Sequence, residues 1–135
     1  MQTIAVSAAP RRPENTGTRS QKEQVITKAA LSAGKALKIS GPELAEIIGI
    51  SPATLTRLKN HKAVLKNGSK DQELALHLIR IFRSLGALYG GNTSDMAHWL
   101  RVNNLTLRTT PIEKMKQIAG LIRTVDYLDR FRAKV

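Results

Sequence analysis

The chain has 135 residues, 41% of them apolar, which allows one ordinary domain or two small ones with modest cores. No stretch approaches the roughly 18 to 20 uninterrupted apolar residues of a spanning helix, the opening residues lack an apolar block behind basic ones, and no cysteine is present; no membrane span, secretory leader, disulfide framework or thiolate site is expected, and cytoplasmic residence fits. Lys and Arg number 22 against 10 Asp and Glu, net +12, divided as +7 over residues 1–66 and +5 over residues 67–135, a surplus that points to a polyanionic partner.

Pro10, Pro13 and Gly17 interrupt an opening stretch with almost no apolar periodicity, so nothing there offsets the entropy of ordering it. A flexible basic arm is expected over residues 1–19, either solvated or with Arg11, Arg12 and Arg19 following a phosphate backbone or minor groove. From Ser20 to Leu37 the spacing turns helical: Val25, Ala29, Ala33 and Ala36 or Leu37 share a face, joined by Ile26 and Ala30. Ser20 followed by Glu23 has the form of a capping box. Gly34 costs roughly 1 kcal/mol against Ala in a helix, but the small residues around it let another helix approach.

A second box, Ser40 with Glu43, starts a helix at Pro42 that runs to about Ile48, with proline in the first turn where its missing N–H is harmless. Gly49 makes the turn, and Ser51 and Pro52 restart a third helix running to about His61. Leu44, Ala45, Ile48, Ile50, Leu55 and Leu58 fall where a helix-turn-helix buries side chains. The third helix would enter the major groove of DNA. Ser51, Ala53, Thr54, Thr56, Arg57, Lys59, Asn60 and Lys62 are the candidate DNA-binding residues: Arg57 suits guanine, Asn60 adenine, the threonines and Ala53 thymine methyls or phosphates, and the lysines the backbone. The competing reading is a solvated polar face on a structural helix.

Lys66, Asn67 and Gly68 form a break, placing a helix-turn-helix domain at residues 20–67 and a second helical domain at 68–135. Ser69 with Gln72 opens a helix whose Leu74, Leu78, Ile81, Leu85 and Leu88 form one stripe, flanked by Leu76, Ile79 and Phe82. A helix so apolar must be buried on more than one side, as the centre of the second domain or in a dimer interface. Ser94 and Asp95 begin the next helix, carrying Met96, Trp99 and Leu100. After a loop at 103–109, Thr110 and Glu113 give a further capping box; its helix carries Met115 and Ile118 and stops at Gly120. The last helix, from Leu121 to about Arg132, places Ile122, Val125, Leu128 and Phe131 on one face.

The fold class is therefore all-α. With no cysteine, three scattered histidines, no paired carboxylates and no phosphate-cradling glycine loop, nothing suggests an enzyme, a metal site or a cofactor. Aromatics at 4% are too few for the stacking platforms of RNA recognition.

A helix-turn-helix, a long apolar helix, then Trp99-Leu100, Asn103-Asn104, Thr110-Pro111, Gly120, Val125 and Leu128 in this order resembles the Xre/MbcA/ParS antitoxin family. The likeness covers roughly residues 20–135. The loop before Pro111 lacks the glycine and proline common there, and the last helix lacks a trailing glycine. The resemblance implies an antitoxin of a type II toxin-antitoxin system. Its front domain would repress the operon encoding it by binding operator DNA. Its back domain would inhibit a RES-type toxin, an ADP-ribosyltransferase-like enzyme that consumes NAD, through Trp99, Tyr127, Arg130, Arg132, Lys134 and Val135. A homodimer within a toxin-antitoxin hetero-oligomer is implied. Basic side chains suit a pocket built for pyrophosphate, although cations at a helix C-terminus also stabilise its macrodipole. The alternative is a dimeric Xre-type repressor with no toxin partner.

Overall fold

The computed structural model describes residues 11–133, with side chains from residue 20 onward. Seven helices are described: α1 Arg11–Ala36, α2 Gly41–Ile48, α3 Pro52–Lys59, α4 Lys70–Leu88, α5 Thr93–Arg101, α6 Pro111–Met115 and α7 Ile118–Ala133. None is long and apolar enough to cross a membrane. The organising element is α4, which packs on α1, α2, α5 and α7. Its Leu78, Ile81 and Leu85 are wholly buried, each contributing about 1.5–3 kcal/mol by leaving water.

One apolar core results. It runs from Leu37 and Ile48 beside the helix-turn-helix, through α4, to Leu100, Met115, Leu121 and Leu128. The break at 66–68 is a turn in the chain that does not divide this core. Gln72, 4% exposed, fastens the turn: its Oε1 accepts from Gly68 N and its Nε2 donates to Leu65 O. Ser69 caps α4 by accepting from Gln72 N at 3.1 Å, so only half of the expected box forms.

Several boundaries and faces differ from expectation. Helix α1 begins at Arg11, which makes residues 11–19 helical and leaves Ser20 inside the helix rather than capping it; the arm's residues 1–10, and the side chains of Arg11, Arg12 and Arg19, lie outside the description. Glu23 is spent elsewhere, its carboxylate accepting from Asn67 N at 2.8 Å. The buried face of α1 consists of Thr27, Ala30, Ala33 and Gly34, with Val25 66% exposed, because α4 approaches from one side of a wide apolar stripe. Thr27 secures that approach: its hydroxyl donates to Glu23 O at 2.7 Å and accepts from Leu65 N at 2.9 Å.

Helix α5 is capped by Asn92, whose Oδ1 accepts from Asp95 N at 3.1 Å, and not by Ser94. The Thr110 hydroxyl makes no cap bond, and Glu113 pairs with Lys116 at 2.7 Å. Gly120 does not end a helix. It lies in the first turn of α7, buried, with the Lys114 carbonyl pressed where a Cβ would stand. The chain breaks earlier, at Lys116 and Gln117, and the absent side chain lets α6 fold back on α7. Thr124 is buried on α7 with its hydroxyl on Gly120 O, whereas Ile122 and Phe131 are 39% and 51% exposed.

Candidate functional surfaces

The first surface is built by two capped starts and one glycine. Ser40 accepts from Glu43 N at 3.2 Å and Glu43 accepts from Ser40 N at 3.0 Å, a complete capping box that starts α2. Gly49 turns the chain at φ 80, where a side chain would be strained and would also crowd Leu74. Ser51 then caps α3, accepting from Thr54 N at 3.1 Å and donating to Thr54 Oγ1 at 3.0 Å. Leu55 and Leu58 hold α3 to the core. Ala53, Thr56, Arg57, Lys59 and Asn60 are exposed along it, Lys62 follows just beyond its end, and Thr54 is half-buried. Ala53, Thr56, Arg57 and Asn60, spaced i, i+3, i+4, i+7, share one open face, with Thr54 and Lys59 on its flanks and Lys59 reaching toward Gly41.

Besides Ser51 and Thr54, which bond each other at the cap, two more candidates are partly engaged within the protein. Thr56 donates to Pro52 O at 3.1 Å. Arg57 Nη2 donates to Lys62 O at 3.2 Å while Lys62 N donates to Arg57 O at 2.8 Å, a closed ring made possible by His61 at φ 60. To reach a base edge Arg57 would give up this exposed bond for others of the same type, from a guanidinium donor to a neutral acceptor.

The second surface lies on α5, α7 and the loop joining α5 to α6. Trp99 stacks on Tyr127 with ring centroids 6.3 Å apart, and Tyr127 on Phe131 at 6.2 Å. Three of the chain's five aromatic side chains stand in this one ladder, with separations in the range of attractive aromatic pairs. Its outer end, Phe131, is half exposed, and the i, i+4 spacing from Tyr127 is the sequence signal that marks it. Arg130 shares a cleft with Tyr127, Arg123, Asp126, Thr106 and Leu107. Arg132 points elsewhere: its Nη1 donates to Ser84 Oγ at 3.3 Å, on a groove floored by Val25, Ile26 and Leu76. The candidates Trp99, Tyr127 and Arg130 are therefore brought together and Arg132 is not. Lys134 and Val135 lie outside the described residues.

Two family models match the chain in tandem: an antitoxin Xre-like helix-turn-helix domain over residues 19–80 and the antitoxin Xre/MbcA/ParS C-terminal toxin-binding domain over residues 84–134. The chain belongs to the Xre-type antitoxins. No curated protein matches it. The antitoxin is accordingly a DNA-binding and toxin-binding protein of a toxin-antitoxin system, and the two surfaces fall one in each matched region. The first match ends at Arg80 and the second begins at Ser84, both inside α4, the helix that the core is built around.

One polar link ties the antitoxin's two surfaces together, and it was not evident from sequence. Arg101, two residues beyond Trp99 on α5, binds both carboxylate oxygens of Glu43 at 2.6 and 2.7 Å and donates to Lys38 O at 3.1 Å. Glu43 thus serves two roles at once, capping α2 and pairing with α5. The Arg101 hydrogen bonds, aided by those from Ser40 and opposed by partial burial, hold its carboxyl down at about 2 from an ordinary 4.5. Glu43 also raises the pKa of Arg101 by its hydrogen bonds. The only earlier hint was a basic residue following the Trp-Leu pair.

Proposed function

We propose that this antitoxin represses its own operon as a homodimer through α2 and α3, and neutralises a RES-type, NAD-consuming toxin through the face formed by α5, α7 and their loop. The observation that carries the reading is the placement of two unlike surfaces on one core: a polar, basic helix face with Arg57, Lys59, Asn60 and Lys62, and an aromatic ladder beside Arg130 in the toxin-binding region. On DNA, Lys59 and Lys62 would neutralise phosphates and set register, while Arg57 and Asn60 read base edges. A homodimer would place two such helices roughly 34 to 36 Å apart, or a multiple of that. For the toxin, an exposed guanidinium next to aromatic faces suits a partner surface that carries carboxylates beside apolar ground. Resemblance to the family supports the RES assignment.

Co-expression with the adjacent gene tests this. Its product alone should arrest growth and deplete NAD, and this chain should restore both and co-purify with it. Truncating α7 would unfold the core through Leu121, Val125 and Leu128, so the surface changes Arg130→Glu and Phe131→Ser are the right probes. They should abolish neutralisation and leave operator binding intact. A harmless neighbour, with operator binding retained, would leave a plain dimeric repressor.

A further inference from the structure

The loop between α5 and α6 carries Leu105, 88% exposed, the most exposed of the large apolar side chains described. Single exposed leucines are ordinary on protein surfaces. This one differs in how firmly its backbone is held. Asn104 Oδ1 accepts from both Thr106 N and Leu107 N at 3.0 Å, Asn104 N donates to Thr109 O at 3.0 Å, and Arg108 N donates to Asn104 O at 2.7 Å. Arg108 takes the left-handed φ of 70 that closes the loop, without the glycine that would adopt it freely. Leu107, only 1% exposed, anchors the far side in the core. The loop is therefore fixed at both ends while its tip leucine stands in solvent.

The same loop borders the candidate toxin surface. Thr106 and Leu107 line a cleft of about 290 Å³ together with Arg123, Asp126, Tyr127 and Arg130. The cleft holds Asp126 with the two arginines, which reduces their mutual repulsion, and Tyr127 begins the exposed aromatic steps toward Phe131. An apolar side chain carried on a fixed backbone beside a polar, charged rim is the arrangement of an interface anchor: it can fill a pocket on the partner with no loss of backbone freedom.

We infer that Leu105 is the apolar anchor of the toxin-binding face, entering an apolar socket on the toxin whose rim presents acidic groups to Arg123 and Arg130. The inference rests on the proposed toxin reading and deepens it. The occupant is the toxin because the loop lies wholly within the matched toxin-binding region, and because a second copy of this chain would set like charge against Arg123 and Arg130.

The test uses the full-length chain and the toxin that co-purifies with it. Leu105→Ala should weaken binding about tenfold to a hundredfold, mainly through faster dissociation, Leu105→Asp should weaken it more, and Leu105→Met should stay within about threefold of the wild type. All three should keep the wild-type melting temperature and operator affinity. Wild-type toxin affinity in Leu105→Asp overturns the inference alone, as does a loss of operator binding parallel to the loss of toxin binding. A wild-type chain that binds no toxin overturns the proposed function with it.

Discussion

Removing Arg101 tests the link between α2 and α5 quantitatively. A carboxyl held at about 2 instead of 4.5 corresponds to about 3 kcal/mol. The Glu43 side chain is 17% exposed but that of Arg101 is 43% exposed, so solvent screening reduces the expected contribution to about 1–2 kcal/mol. Because the folded value lies below the unfolded one, this stability is full above pH 4.5, declines as pH falls toward 2, and is absent below. Urea unfolding at pH 7 should show Arg101→Met destabilised by about that amount, with part of the acid-dependent loss between pH 4.5 and 2 removed. A double-mutant cycle with Glu43→Gln separates the pair from the Ser40 cap, which Glu43→Gln also weakens. A coupling energy below about 0.3 kcal/mol, or an unchanged acid limb in Arg101→Met, would refute the reasoning.

Gly120→Ala should cost about 2–4 kcal/mol, seen as a lower thermal midpoint, because the rigid Lys114 carbonyl occupies the Cβ position. Gly34→Ala faces only the flexible end of Leu44, at 3.1 Å, and should stay within about 1 kcal/mol of the wild type. Thr27→Val leaves Leu65 N buried without its acceptor and should cost about 1–3 kcal/mol in denaturant unfolding; neutrality would mean that water replaces the hydroxyl. On operator DNA, Arg57→Ala should cost about 1–3 kcal/mol and relax preference at one base pair, whereas Lys62→Ala should weaken all sequences alike and lower the salt slope by about 1. Equal weakening on every sequence in Arg57→Ala would make it a phosphate contact.

Around the helix-turn-helix, the parts of the fold set by local chemistry are legible in the sequence. Ser40 with Glu43, Gly49, and Ser51 before Pro52 act within four residues of themselves, and each does what its residue type dictates. The α4 stripe is equally readable through Leu74, Leu78, Ile81 and Leu85, all buried, whereas Leu88 at its end is half-buried and the flanking Leu76 is exposed. Features set by distant neighbours are not legible. Glu23 looked like a cap partner and instead holds Asn67, 44 residues away; Val25 looked buried because periodicity defines a stripe but not which half of it a neighbour covers. Gly120 carried a signal with two meanings, helix end or close approach, and only the path of α6 decides between them. At the candidate toxin face, Tyr127 lies against Trp99 and shares a cleft with Arg130, helical phase turns Arg132 toward Ser84, and the Asn104 bonds that fix the loop around Leu105 have no sign in the sequence.

The sharing of α4 also determines how this molecule is lost. Since its buried side chains serve the helix-turn-helix and the C-terminal helices in one core, neither half has an interior of its own to fall back on, and the chain should melt as a single cooperative unit. Under the proposed function, a protease that pulls on either end would end operator occupancy and toxin restraint in the same event. Synthesis of fresh antitoxin and release of existing toxin would, on the same proposal, be timed by one unfolding rate, with no interval in which one activity outlives the other.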